Sequence, residues 1–525
     1  MIEAIVARRA PDLPCCISSE ILPEIKEYER TSTTVINTYV MPIVGRYLET
    51  LRHDLGAKRI RAPLLLMQSN GGLTTAEEAS RKPMNIIESG PAGGVIGAQA
   101  LARQLELPNI ITFDMGGTTA KAALVERGNV TRSLEYQVGG GIMIGSRLLT
   151  GAGYLLKVPA IDLAEVGAGG GSIIWIDNGG SLQVGPQSAG ALPGPLCYDM
   201  GGTEPTITDA NLILGYINPS YLVGGSLTLH AAKADAVFDD KIARWLGLSR
   251  AHAAYGAHQI AASNMIRAIK AVSTERGRDP RDYALFAFGG NGPIFAAGMA
   301  EALRMQRIVV PPSPGLFSSF GLLYADVEHH YSRTFRRLLR GTEPQALNAV
   351  WDRMADEAIT QLRADGFVPQ QIRIRRAANM HYQGQTFELT VPVPDGSLDA
   401  GAIAVLEEAF GQEHGRTYGH RAGPEEPVEI VNIQVIGQGL PERPSLPQRL
   451  GCNGARVSCH PSTRQAYFGP DIGWVDTPVL HRIALQGGRE GPCIIEEYDA
   501  TCVVPPQARA ALDDHGNIII DLPLG

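Results

Sequence analysis

The chain has 525 residues, 44% of them hydrophobic and 19% charged; that length exceeds the roughly 250–300 residues at which a single core stops growing, so two or three domains are expected. A net charge of −8, from 46 basic and 54 acidic residues with no basic run, lacks the electrostatic footprint of nucleic-acid or anionic-membrane binding. No uninterrupted apolar stretch reaches the ~18 residues of a transmembrane helix.

In chain order, the opening "MIEAIVARRAPDLPCC" has no charged segment leading into an apolar one and is not read as a signal peptide. Residues 21–55 carry apolar side chains at three- and four-residue steps from Val35 to Leu55, which predicts a long helix. "APLLLMQSN" (62–70), closed by glycines, predicts a buried strand and a turn. "NIIESGPAGGVIGAQALARQLEL" predicts strand, glycine turn and helix, with Pro91 in the first helical turn. "ITFDMGGTTAKAALVERG" (111–128) predicts a tight β-hairpin. Glycine-rich strands and turns run to about residue 205, and helices are expected at "TDANLILGY" and over 251–277. "DYALFAFGGNGP" (282–293) predicts a buried strand, a glycine turn and an alanine-rich helix after it. Strands and helices alternating in this way indicate an α/β domain.

After the proline cluster "VVPPSPGLF" (309–317) the character changes. "EPQALNAVWDRMADEAITQLRADGF" predicts an amphipathic helix, and "IRRAANMHYQGQTFELTVPVP" and "PVEIVNIQVIG" predict the strands of a smaller α+β region. "GQGLPERPSLPQRLG" (437–451) reads as a linker, and short strands and turns follow. The expected divisions are 1–335, 336–440 and 441–525. Seven cysteines, an odd number with no C-x-x-C pair, fit the reduced thiols of a cytoplasm, and "CNGARVSCH" (452–460) has poor zinc spacing.

The 60 glycines cluster, in "VGGGIMIG", "GAGGGS" and "FGGNGP", as they do where backbone approaches a ligand. At the hairpin tip, Gly116 and Gly117 leave backbone N–H groups unobstructed, a turn of the kind that forms a concave anion site. Thr118 and Thr119 add hydroxyl donors, Lys121 is a candidate point charge, and Asp114 is a candidate Mg²⁺ holder through water. Alone, this tip fits a plain turn as well as a phosphate cradle, and neither strand-to-helix phosphate motif is present. It has company, however. "VGAGGGSIIW" (166–175) offers the amides of Gly169, Gly170 and Gly171 with Ser172 as a donor, and Gly289, Gly290 and Asn291 form a strand-to-helix turn suited to a base or ribose. "ESGPAGGVIGA" (88–98) opens a helix whose first N–H groups favour negative charge. Four glycine turns together favour a nucleotide.

An Asp-x-Gly-Gly-Thr hairpin for phosphate belongs to the two-lobed fold shared by actin, the Hsp70 chaperones and sugar kinases. More specifically, the chain resembles the A-type subunit of the ATP-dependent hydantoinase/5-oxoprolinase family, which includes subunits of acetone and acetophenone carboxylases. The resemblance is carried by "MQSNGG", "ESGPAGGVIGA", "FDMGGTTAK", "GAGGGSI", "VGPQSAGALPGPLCYDMGGTEPTITDANLILGY", "ERGRDPRDYALFAFGGNGP", "HYQGQTFEL", "YGHRAGPEEPVEIVNIQV" and "GPCIIEEYDAT", from the N-terminal region to near the end. It implies an α/β nucleotide-binding fold with an incomplete first lobe, then smaller α+β and β regions.

The resemblance also implies ATP and Mg²⁺ as cofactors, with phosphorylation of a carbonyl oxygen to activate a lactam or hydantoin for ring opening. The corresponding ketone-carboxylase subunit and a non-catalytic scaffold stay open as alternatives. Implied partners are a B-type subunit and a small-molecule lactam, hydantoin or ketone. A common family hairpin reads Asp-Met-Gly-Gly-Thr-Ser-Thr-Asp, so Lys121 stands where an acidic residue is frequent. Family members usually carry a further N-terminal domain with its own such hairpin, and two readings stay open for it here: that it resides on a separate small subunit, or that this chain has lost ATP turnover. Asp209 is expected to cap a helix, and the resemblance also admits it near the nucleotide as a metal ligand. The histidines of "HH" (329–330) and "HGRTYGH" (414–420) are read first as hydrogen-bonding groups, and Cys197 has no identifiable base partner.

Overall fold

Ala284–Phe288 reads ALFAF, apolar at every position and buried along its whole length. It lies in the middle of a nine-stranded sheet, the environment that a continuous apolar run requires. The computed structural model describes residues 2–11, 13–139, 153–441 and 462–523. Most of "VGGGIMIG" and all of "CNGARVSCH" therefore lie outside the described residues. The sheet runs Leu163–Val166, Ala120–Glu126, Ile110–Met115, Ala284–Phe288, Arg307–Val310, Ile518–Asp521, Arg509–Leu512 and Arg489–Glu490, with Asn129–Val130 paired to Ala120–Glu126. Ile110–Met115, Ala284–Phe288 and Arg307–Val310 are mutually parallel, and the remaining pairings are antiparallel.

Side-chain alternation along these strands divides the residues between two cores. Ile111, Phe113, Leu285 and Ala287 join residues of the helices Arg250–Val272 and Gly292–Ala302. Ile110, Phe286 and Phe288 join residues of Ser89–Gln104 and Phe317–Tyr324. Helices on both faces of a mixed sheet whose three central strands are parallel make this the expected α/β class.

A second, six-stranded sheet runs Leu65–Met67, Leu73–Thr75, Val327–Leu338, Val428–Gly439, Ile372–Tyr382 and Leu389–Val393. The "LLLMQSN" segment and the residues just after its glycine turn thus supply two strands, Leu65–Met67 and Leu73–Thr75, to the same sheet as the α+β region. The segment after residue 441 divides as well. Ser462–Tyr467, Trp474–Leu480, Cys493–Glu496 and Thr501–Val504 form their own sheet, while Arg489–Glu490 and the last two strands extend the nine-stranded one.

Two local expectations differ from the structure. The long helix spans Glu27–Ala57, with Pro23 in the irregular segment before it, and buries only Thr33, Asn37 and Leu48, leaving Val35, Tyr39, Ile43 and Tyr47 exposed. The strand expected before "ESGP" is a 3₁₀ turn, Pro83–Ile86, and the helix starts at Ser89 with Pro91 in its first turn.

The glycines of that helix have a packing role. A Cβ at Gly93 would stand 2.5 Å from the Ser318 carbonyl oxygen and one at Gly94 2.5 Å from the Phe288 ring. Across the crossing, a Cβ at Gly321 would overlap the Gly93 carbonyl. The two helices meet backbone to backbone, and only glycine permits that distance. Gly321→Ala is expected to cost about 1–3 kcal/mol by forcing the helices apart, read as a lower urea midpoint at unchanged m-value.

Candidate functional site

The hairpin Ile110–Met115 and Ala120–Glu126 follows the expected pattern, and Gly116, Gly117 and Thr118 at its tip are exposed. The Gly116 N–H closes the tip by donating to the Thr119 carbonyl at 3.2 Å. The amides of Gly117 and Thr118 have no hydrogen-bond partner among the described residues. Two unspent donors on an exposed glycine turn are what an anion cradle requires.

Two further glycine turns are stacked behind that tip. The N–H groups of Gly170 and Gly171 donate to the carbonyls of Gly116 and Gly117, at 3.2 and 2.6 Å. A Cβ at Gly169 would stand 2.5 Å from the Thr118 nitrogen, and one at Gly170 would meet the side chains of Asn291 and Thr208 at 2.8 and 2.9 Å. From the other side, the Asn291 N–H donates to the Met115 carbonyl (3.1 Å) and its Nδ2 to the Gly116 carbonyl (3.3 Å). Gly289, at φ +80, has its Cα against Met115 and the Asp114 carboxylate, where a side chain would overlap both. Gly290 is half-buried, beside the Asp499 carbonyl of the C-terminal segment.

This arrangement corrects two sequence expectations. Gly169, Gly170 and Gly171 are buried, and the amides of Gly170 and Gly171 brace the hairpin instead of facing outward. Ser172, expected as an anion donor, is fully buried and accepts the Gly169 N–H on its hydroxyl at 2.8 Å. These glycines are required because the backbone of the hairpin tip rests on them.

Charges beside the hairpin lie in one row across three strands. Asp114 pairs with Lys121, and Lys121 pairs with Glu165, so the three side chains share a face. Lys121 reaches Glu88 at 3.0 Å and Glu165 at 3.5 Å, so its charge is spent on the helix side of the sheet and not on the tip. Burial opposes that charge, but the two glutamates hold the Lys121 pKa above its ordinary value. Burial pushes Asp114 above the usual aspartate range, and Lys121 and the Ser318 hydroxyl, 3.5 Å away, offset this only in part. A half-buried carboxylate with so little hydrogen bonding is suited to a hard cation that keeps its waters.

Asp209 is the opposite case. It sits at the third position of the helix Ile207–Ile213 in a capping box with Thr206. Its oxygens accept the N–H groups of Leu196 (3.2 Å), Cys197 (2.8 Å) and Thr206 (2.8 Å), and the Thr206 hydroxyl (2.8 Å). It is fully buried, with its acceptor positions filled, so a metal-ligand role does not fit. The histidines also have local partners: His329 with Asp365, His330 with Glu328, and His414 with the His420 carbonyl. Burial pushes the Cys197 thiol well up, which leaves it inert.

The sequence reading missed Ser318, Glu88 and Asp499. Glu88 directly precedes the "SGPAGG" glycines, and Ser318 follows the proline cluster, so both stood beside motifs already marked. Among the described residues, no helix is long and apolar enough to cross a membrane.

A family model described as hydantoinase/oxoprolinase matches residues 30–331, and one described as its C-terminal domain matches residues 339–521. The chain belongs to the hydantoinase/oxoprolinase family. Within it, the caprolactamase subunit alpha of Pseudomonas jessenii is 36% identical over 518 residues, covering 97% of this chain and 72% of that one. The acetophenone carboxylase gamma subunit of Aromatoleum aromaticum is 31% identical over 522 residues, covering 97% and 69%. The crystal structure of the ATP-dependent caprolactamase from Pseudomonas jessenii superimposes with a TM-score of 0.82 at 34% identity, covering 99% of this chain and 75% of that one. The mixed α/β architecture is thus shared with that enzyme. Both curated relatives carry subunit names.

If Asp209 is structural, Asp209→Ala leaves the N–H groups of Leu196, Cys197 and Thr206 buried without an acceptor. The expected cost is about 3 kcal/mol or more, at ~1–3 kcal/mol per stranded donor, measured by thermal or urea unfolding with no ligand present.

Proposed function

We propose that this chain binds Mg·ATP at the 114–119 hairpin and is the phosphorylating subunit of a multi-subunit, cytoplasmic, ATP-dependent hydrolase of cyclic amides. The supporting observation is the juxtaposition of unspent amides at Gly117 and Thr118 with Asp114, a carboxylate that burial raises and few groups satisfy. ATP, when bound, supplies a phosphoryl group to a carbonyl oxygen, converting a poor electrophile into one that water can open. The chain's part in such a transfer is positioning and charge neutralisation.

In this reading Gly117 and Thr118 donate their N–H groups to phosphate oxygens, and the Thr118 and Thr119 hydroxyls add donors. Asp114 holds the hydrated Mg²⁺ through its waters. The turn Gly289–Asn291 receives the nucleoside, bounded by Asp499. Glycines 169–171 keep the tip rigid from behind. Lys121 pairs with Glu88 and Glu165 beside Asp114, and Asp114 is the carboxylate of this row next to the tip. Ring opening by water belongs to a B-type partner subunit. A relative named as a caprolactamase subunit supports a lactam substrate and one named as an acetophenone carboxylase subunit a ketone; we take the lactam as the first reading because the former is the more similar of the two.

Titration calorimetry with Mg·ATP tests the reading. Asp114→Asn is expected to weaken Mg·ATP binding at least tenfold while leaving Mg-free nucleotide binding nearly unchanged; equal Mg·ATP affinity in the variant would overturn it. With the assembled complex, ATP turnover independent of bicarbonate supports the hydrolase, and bicarbonate dependence assigns the carboxylase.

Acidity provides a second check. Asp114 must be ionised to attract the cation, and its pKa is raised, so Mg-dependent affinity is expected to fall as pH drops, starting at a higher pH than for an ordinary aspartate. The Asn variant should lack that pH dependence over the same interval.

A further inference from the structure

Two neighbouring parallel strands of the nine-stranded sheet end at a topological switch. Ala284–Phe288 and Arg307–Val310 point the same way, and the chain leaves their carboxyl ends toward opposite faces. After Phe288 it turns at 289–291 into the helix Gly292–Ala302, which joins the core that holds Leu285 and Ala287. After Val310 it runs through the proline segment into Phe317–Tyr324, and Phe317 joins the other core, with Phe286 and Phe288. Where two such connections diverge, a crevice forms outside the carboxyl ends of the strands, and open α/β sheets bind ligands there.

The C-terminal segment brings Asp499 to that switch. Arg482 is fully buried and donates to both Glu497 oxygens, at 2.7 and 2.6 Å, and to the carbonyls of Val310 (3.2 Å) and Pro311 (2.7 Å). The turn 497–500 is thereby tied to the end of Arg307–Val310. The Asp499 carbonyl oxygen then lies between the two connections: a Cβ at Gly290 would stand 3.5 Å from it, and one at Gly315 2.5 Å. Asp114 and Asp499 thus flank successive residues of one turn, Asp114 against Gly289 and Asp499 beside Gly290. The Asp499 carboxylate accepts the Leu316 N–H at 3.1 Å, and backbone N–H groups fill only part of the roughly four acceptor positions of a carboxylate. Leu316 and Tyr498 beside it are exposed, while Asp499 itself is half-buried. Burial, with Glu497 nearby, raises its pKa above the ordinary aspartate value, as expected of a carboxylate short of donors.

We infer that the Asp499 carboxylate accepts the ribose hydroxyls of the bound nucleotide and makes the site select ribonucleotides over deoxyribonucleotides. The inference rests on the function proposed above, which puts phosphate at the hairpin tip and the nucleoside at the turn 289–291. Vicinal hydroxyls are neutral donors held side by side, so they complete a carboxylate that already accepts backbone N–H groups, with no second cation required. The cation belongs to the phosphate end, at Asp114, and the Gly289–Gly290 backbone stands between the two carboxylates. A nucleotide lacking a hydroxyl leaves Asp499 partly desolvated and short of a donor, and that deficit is what turns a hydrogen bond into selectivity.

The test is calorimetric titration of the full chain with Mg·ATP, Mg·2′-deoxyATP and Mg·3′-deoxyATP. The native chain is expected to bind ATP about tenfold more tightly than at least one deoxy analogue, as for a lost hydrogen bond to a charged group. Asp499→Ala is expected to weaken ATP about tenfold, to leave that analogue nearly unchanged, and so to erase the preference. A residue that served only to cap the Leu316 N–H would shift all three nucleotides together. Asp499→Asn keeps an acceptor for that N–H and is expected to lower the preference about threefold; if the thermal midpoint shows Asp499→Ala unfolded, the Asn variant decides. Equal binding of all three nucleotides by the native chain, or an undiminished preference in a folded variant, overturns the role of Asp499 and leaves the nucleotide reading standing. Binding of none of them overturns both.

Discussion

The hairpin tip is held by backbone pressed against backbone. Carbonyls of Gly116 and Gly117 are taken by the amides of Gly170 and Gly171, and the Met115 carbonyl by Asn291, so every acceptor on one side of the tip is used. The donors on the other side, at Gly117 and Thr118, are left exposed. A turn braced in this way keeps its free N–H groups in one orientation before any ligand arrives, and preorganised dipoles cost little reorganisation when charge is placed on them. The glycines at 169, 170 and 289 follow from this, because a Cβ at any of them would occupy space that the tip or Asp114 already fills.

The same constraint sets the electrostatics. With the tip fixed, Asp114 is fixed too, at the end of a strand whose neighbours in the ladder are Phe288 and Lys121. Lys121 could have compensated it fully, but Glu88 and Glu165 draw that ammonium away. The result is a carboxylate whose burial is only partly compensated, in contrast to Asp209, whose four hydrogen bonds complete it. Two aspartates of the same chain therefore differ in environment by how many donors the fold brings to each.

Much of this was legible in the sequence because it is local. Alternation around "DMGGTT" gives the hairpin, the unbroken apolar run of "ALFAF" gives a buried strand, and the Asp in "TITDAN" marks a helix start, although Thr206 is the N-cap there and Asp209 its capping-box partner. The rest depends on what meets what across the fold. The "SGPAGG" glycines look like an anion-binding turn, yet they exist for a helix more than two hundred residues away in sequence, at Ser318 and Gly321. Lys121 looks like a phosphate contact until Glu88 and Glu165 arrive from other elements. The apolar stripe of the long helix predicts burial, but periodicity says only that a face is apolar, and Val35, Tyr39, Ile43 and Tyr47 face outward in this chain.

The stretch from Met67 to Glu88 ties these features into one device. Its first strand and turn build a wall of a cavity of about 400 Å³, its serine accepts the Glu88 N–H, and Glu88 opens the helix whose glycines admit Ser318 against Asp114. The 68–72 turn is thus joined through Ser69 to Glu88, which in turn holds Lys121 beside Asp114. Gly72 sits so close to Glu328 that a Cβ would stand 2.5 Å from its side chain, so the turn is packed against the cavity wall with little slack.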